Sequence, residues 1–302
     1  MGFCNCDGTL GNTGRPSGVK AFGIPRMILV QKTFNNGVRN AIPAGSTYDQ
    51  AFIDAYINAT DDTKMFPIGG LENVATVREA STFETFGSGA QSLVRQGVKP
   101  FSAFIPDAET TYLSKIKQGG CEDLQIYVVD ECGSIRGSVS SDGLNLYGTK
   151  VQRNTWDPIY KERTDAESNG ITLSFQFDIN ELDENLKMIA STDLDFDALA
   201  LTGLIDVLST VGAITATSVV IDLETCYGSF DNPIKFSGYA IADFVLTNNT
   251  TVAPVTIDTL VESPDGTYTL GYVAQTAADE MELTLAPAVI GFDLASTIYA
   301  AV

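Results

Sequence analysis

Apolar and polar positions alternate along much of the chain. In "GITLSFQFDI", Ile171, Leu173, Phe175, Phe177 and Ile179 fall on one face of an extended segment. In "PVTIDTLVE", Val255, Ile257, Thr259 and Val261 alternate with mostly polar neighbours. "LQIYVVD" and "IRGSVS" flank "ECGS", a hairpin signature. "NVATVREASTFETF" and "SLVRQGVKPFSAFI" enclose "GSGAQ" and predict a long hairpin over 72–105, with Pro100 bending its second arm or placing it at a sheet edge. The far end reads as successive strands: "TSVVIDLETCYG", "IKFSGYAIADFVLTN", "PVTIDTLVE" and "TYTLGYV". "SPDG" joins the last two as a tight turn, with Pro264 at its second position and Gly266 at its fourth.

Helical spacing is confined to short stretches. Over 46–59, Ser46 is the expected cap, Asp49 answers it, and Phe52, Ala55, Tyr56 and Ala59 form the inward stripe. Over 107–118, Asp107 caps, Leu113 and Ile116 face inward, and Gly119 and Gly120 end the helix. "NELDENLKMI" predicts a third helix, with Asn180 as cap and Leu182, Leu186 and Ile189 on one side. The apolar run 199–221 predicts a buried helix followed by a strand. A membrane span is disfavoured because Asp206 would cost about 2.5–3.5 kcal/mol near a helix centre, and both flanks are acidic. Residues 1–20, with five glycines and a proline, read as a flexible N-terminal arm that orders only by packing on a neighbour. The fold class is therefore mainly β with a few short helices (α+β). A change of pattern near 190 separates 21–190 from 191–302.

Charge sharpens that division. Residues 1–163 carry 16 bases and 17 acids, whereas 164–302 carry two bases, Lys187 and Lys235, and 21 acids. The second region should not bind nucleic acid, because phosphate recognition needs clustered Lys and Arg. Five cysteines, Cys4, Cys6, Cys121, Cys132 and Cys226, form no C-x-x-C, and neither a disulfide framework nor a zinc site is expected. "MGFCNCDGTLGN" lacks the basic start and apolar run of a signal peptide, and Gly2 is not followed by the Ser or Thr of a myristoylation motif.

Catalytic equipment is hard to find. The 302-residue chain has no histidine, so Ser–His–Asp and Cys–His arrangements and the commonest zinc ligand are ruled out within one chain. There is no Walker A motif, G-x-S-x-G or dinucleotide fingerprint. The one arresting cluster is "TDLDFDAL", with Asp193, Asp195 and Asp197 spaced by two. Counted as a calcium loop it places Ala198 where Gly belongs and Leu204 where Glu belongs. An acidic outer face on an extended segment, or a helix cap at Asp197, is expected instead. Trp156, the single tryptophan, reads as a core or interface anchor. No catalytic, cofactor-binding or metal residue is assigned, and the chain is expected not to be an enzyme. A carboxylate hydrolase and an exported carbohydrate-binding module rank below a structural role.

The long hairpin 72–105, the helix directly after it at 107–118 and the strand "GITLSFQFDI" resemble tail tube proteins, a class of tailed-bacteriophage virion structural protein. "VTIDTLVESPDGTYTLGYVAQTAADEMELTL" resembles the small immunoglobulin-like sandwiches attached to phage structural proteins. The resemblance implies a tail-tube-like β-sandwich or barrel over 21–190. Over 191–302 it implies a second β-sandwich, immunoglobulin-like or a second tube-like domain. It implies a protein made in the host bacterial cytoplasm and built into the virion, without cofactors and with no membrane partner. Its partners would be itself, in rings and between stacked rings, and other phage tail or neck proteins. The hairpin would bridge subunits. DNA would pass without specific binding along an acidic wall, which repels a duplex carrying one charge per about 1.7 Å. A neck ring, capsid decoration or sheath component is the alternative.

Overall fold

The computed structural model describes residues 22–229, 231–286 and 291–302. The arm expected over 1–20, with Gly2, Cys4 and Cys6, lies outside the described residues. The described chain is mainly β, with two short α-helices, Gln50–Ile57 and Thr110–Lys117. It divides into two compact units, the first ending at Thr202 and the second spanning Gly203–Val302. The division falls beyond the change of pattern near 190. Strand Leu186–Ile189 pairs with Ile135–Val139, and the Asp195 amide donates to the Tyr48 carbonyl at 2.8 Å, so this stretch is tied into the first unit.

The first unit is built on two sheets. An eight-stranded sheet runs Ile42–Pro43, Asn145–Tyr147, Ile135–Val139, Leu124–Asp130, Pro25–Lys32, Met65–Ile68, with Thr149–Lys150 and Leu186–Ile189 pairing off this path. Its central strand, "LQIYVVD", is buried at every position, as a near-continuous apolar run should be when both faces are covered. The four-stranded sheet runs Asp157–Lys161, Gly170–Phe177, Lys99–Pro106, Glu72–Ala75. Here the expected alternation is present: Ile171, Leu173, Phe175 and Phe177 are buried, opposite Ile105, Ala103, Phe101 and Lys99. The strand ends at Phe177, and Ile179 lies half-buried beyond it. The buried residues of these two strands share one core with Ile28, Val30, Ile126 and Val128 of the larger sheet and Ile116 of the second helix. Pro100 does not mark an edge strand. It sits at the start of an interior strand, ahead of Ser102, where pairing with Glu72–Ala75 stops.

The helices differ from expectation at their ends. Asp49, not Ser46, caps the first: its carboxylate accepts from the Phe52 amide at 2.8 Å, while Ser46 donates to the Pro43 carbonyl. Its buried positions are Ile53 and Ile57, one turn apart, rather than the stripe of Phe52, Ala55, Tyr56 and Ala59. Asp107 has φ +52° and does not cap the second helix, where Glu109 takes the cap position with no side-chain bond. Ile116 is buried and Leu113 half-buried, and the chain leaves through a 3-10 turn at Gln118–Cys121. The third helix does not form. A 3-10 turn at Asp183–Asn185 leads into the Leu186–Ile189 strand, because those apolar residues find a free ladder on Ile135–Val139.

The second unit has no helix where one was expected after residue 199. Ile205–Thr215 is a strand, paired antiparallel with Ser218–Ser229, and together they absorb most of the apolar run 199–221. β-branched residues and a partner strand override a spacing that also fits a helix. Among the described residues, no helix is long and apolar enough to cross a membrane. One sheet runs Ile257–Glu262, Thr267–Tyr272, Ser218–Ser229, Ile205–Thr215, Phe292–Leu294. The other runs Ala253–Val255, Phe244–Asn248, Glu280–Leu285, Thr297–Ala300. "PVTIDTLVE" is thus two strands, and the chain changes sheet at Thr256. Val219, Ile221, Leu223, Tyr268 and Leu270 of the first sheet share a core with Phe244, Leu246, Met281 and Leu283 of the second. The turn closes one residue later than expected: the Thr267 amide donates to the Pro264 carbonyl, Gly266 takes the left-handed position at φ +77°, and Ser263–Pro264 is cis.

Candidate assembly surface

The expected hairpin 72–105 is present in two parts. Its base, Glu72–Ala75 with Lys99–Pro106, belongs to the four-stranded sheet. Its outer part, Thr82–Thr85 with Gln91–Arg95, is a two-stranded ribbon that pairs with nothing else among the described residues. The base is held in the sheet up to Pro106, whereas no apolar residue of 76–98 joins a core cluster.

Every residue from 82 to 96 is exposed. Phe83 and Leu93 are directly opposed in the ladder, so they share a face. Both are about half exposed, at 55% and 48%, and Phe86, Val94 and Val77 are exposed as well. Glu84 and Ser92 occupy the other face. A two-stranded ribbon with an uncovered apolar face is marginal in water by itself. Such a surface marks an interaction site or an aggregation liability.

The root is built differently. Gly97 is buried, and a Cβ there would collide with the Glu79 carbonyl oxygen, so only glycine lets the legs cross this closely. The Glu79 amide donates to the Val98 carbonyl at 2.8 Å. Arg78 donates to Asp183 and to the carbonyls of Gly97 and Glu181. Burial alone would raise the Asp183 carboxyl, but hydrogen bonds from Arg78 and Lys99 outweigh it and hold the group below its ordinary range. Sequence reading found the hairpin but not this root, since nothing in the local pattern couples Arg78 to a residue a hundred positions away.

The aspartate cluster is not a strand face. Asp193 ends a 3-10 turn, Asp195 is anchored through its amide, and the Asp197 carboxylate accepts from the Leu199 amide at 2.9 Å. Leu194 and Ala198 are buried beneath them. Among the described residues, no group of three or more His, Cys, Asp or Glu is placed to hold a metal ion. Cys121 and Cys132 are exposed free thiols, and Cys226 is half-buried. Trp156 stacks on Phe175 at 5.4 Å and donates its indole N–H to the Ile116 carbonyl at 2.8 Å.

Fold and surface together define a two-unit, β-rich chain whose conspicuous feature among the described residues is an exposed ribbon. Comparison with known proteins returned no matching family model, no matching curated protein and no matching solved structure.

Proposed function

We propose that the chain is a self-assembling structural protein of a tailed-phage particle, a tail tube subunit whose ribbon docks on the next copy. The observation that carries this reading is the ribbon itself: an exposed two-stranded arm, with Phe83 and Leu93 on one face, no core, and a hydrogen-bonded root. Its charges also favour a second copy as occupant. Each copy carries −20, so identical copies repel wherever acidic surfaces meet. The hairpin 72–105 is neutral, with Arg78, Arg95 and Lys99 against Glu72, Glu79 and Glu84. Contact between copies is therefore least opposed there.

The architecture supports the finer reading. A two-sheet first unit with a helix directly after the hairpin suits a tube-like domain. An immunoglobulin-like second unit is supported by the order Ile205–Thr215, Ser218–Ser229, Thr267–Tyr272, Ile257–Glu262 in one sheet and Ala253–Val255, Phe244–Asn248, Glu280–Leu285, Thr297–Ala300 in the other, with Phe292–Leu294 and Asn232–Lys235 as additions to the first. Stacked rings of such subunits would form an acidic conduit that DNA traverses without binding. On this reading the protein has no catalytic role, works in the virion, and meets other tail or neck proteins. A neck ring, capsid decoration or sheath component remains the second reading, supported by the same ribbon.

Negative-stain microscopy and light scattering of the recombinant chain test this. The wild-type chain should form rings or tubes, with onset at lower protein concentration as salt rises from about 20 to 200 mM and screens the acidic surfaces. A variant with 82–95 replaced by a short Gly-Ser turn should remain monomeric at an unchanged melting temperature. A wild-type chain that stays monomeric at high concentration, or a ribbonless variant that assembles equally well, refutes the proposal. Closed rings that never stack favour the second reading.

A further inference from the structure

The ribbon's two legs are joined at the root by one carboxylate. Arg78, on the outgoing leg, donates from Nε to Asp183 Oδ2 at 2.7 Å. Lys99, on the returning leg, donates from Nζ to Asp183 Oδ1 at 2.6 Å. The remaining Arg78 nitrogens bond the Gly97 carbonyl and the Glu181 carbonyl, each at 2.9 Å. Arg78 thus spans both legs and the segment behind them.

That segment is itself fixed. Glu181 Oε1 accepts from Arg39 at 2.9 Å and from the Lys150 amide at 3.2 Å. Arg39 also donates to the Gly148 carbonyl and to the buried Gln125, in the middle of the large sheet. Leu186–Ile189 follows directly and pairs with Ile135–Val139. A chain of polar contacts therefore runs from the centre of the first unit to the base of the ribbon. The Arg78 and Lys99 side chains are only 25% and 13% exposed, whereas Asp183 itself is 47% exposed, so the cations are partly shielded and water still reaches the carboxylate they share.

We infer that Asp183 is a positioning residue for the ribbon, holding both legs in one direction before the ribbon docks. This rests on the reading of the ribbon as the assembly arm. A ribbon that swings about its root loses orientational freedom on docking, and a latched one has already lost it. Removing the latch should leave the fold intact, because neither core cluster contains these residues. It should raise the concentration needed for assembly.

Three variants decide the matter: Asp183→Asn, Lys99→Gln, and Glu184→Gln as a control that removes the same charge one residue away. Amide exchange across 76–98 is compared with exchange across 124–130, alongside the critical concentration for assembly. D183N and K99Q should raise that concentration about tenfold, the effect of one or two ordered side chains. They should speed exchange in 76–98 only. E184Q should stay within about twofold of wild type. Unchanged exchange and assembly in D183N, or an equal effect in E184Q, overturns the inference. If the wild-type chain forms no assembly, the docking role fails, while faster exchange in D183N still establishes the latch and unchanged exchange still refutes it.

Discussion

Asp49 caps the first helix and Ser46 does not, because Gly45 turns the chain at φ +75° and sends the Ser46 hydroxyl back to Pro43. Both residues are good caps by type, so the sequence left the choice to backbone geometry. Asp49→Ala should cost about 1 kcal/mol in urea unfolding, whereas Ser46→Ala should cost a few tenths, roughly the scale of a neutral surface change. Equal losses would show the cap to be misassigned. Gly97 and Gly266 follow the same lesson. Gly266 was legible as a turn residue. That a Cβ there would lie 2.8 Å from the Leu223 carbonyl oxygen is a fact of tertiary packing. The closeness of Gly97 to Glu79 was not legible at all.

Among the elements, the alternating strand before Asp178 was read correctly, and two short apolar runs were not. "GITLSFQFDI" alternates because one face meets the core, and period two has no helical rival. "LKMI" and "LIDVLSTVG" fit a helical stripe equally well, and each became a strand because an unpaired ladder lay alongside. Trp156 adds to the core packing of the second helix. Its indole ties the end of the second helix to the four-stranded sheet through the Ile116 carbonyl and the Phe175 ring. Trp156→Phe keeps most of the stacking and removes the indole donor, leaving that carbonyl to the Gln118 amide. It should lower stability by about 1–2 kcal/mol, measured by denaturant unfolding. A loss within a few tenths would mean that water replaces the indole at no cost.

For the whole molecule, ionisation is lopsided. Asp61 is held low by the Thr63 hydroxyl, Asp123 by Arg153, Glu262 by the Gly266 amide, and Asp183 by its two cations against burial. Each is depressed in the folded state. Each therefore adds stability that is present above the unfolded carboxylate range, about pH 4, and is lost as pH falls through the folded value. With no histidine anywhere, no side chain ordinarily changes its charge near pH 6.5. Calorimetry should give a melting temperature flat from about pH 5.5 to 8 and falling below about pH 4, with Asp183, the most buried of the four, contributing most. A step between pH 6 and 7 would contradict this ionisation pattern.

By itself the sequence determined the β-rich class, the long hairpin, the absence of histidine chemistry and the excess of acid. All of these follow from residue type and near-neighbour periodicity. Only the tertiary structure decided which short apolar runs joined sheets, where the first unit ends, and how Asp183 meets Arg78 and Lys99. Those outcomes depend on which unpaired ladder or opposite charge the folded chain brings within reach, and contacts across a hundred residues leave no local trace.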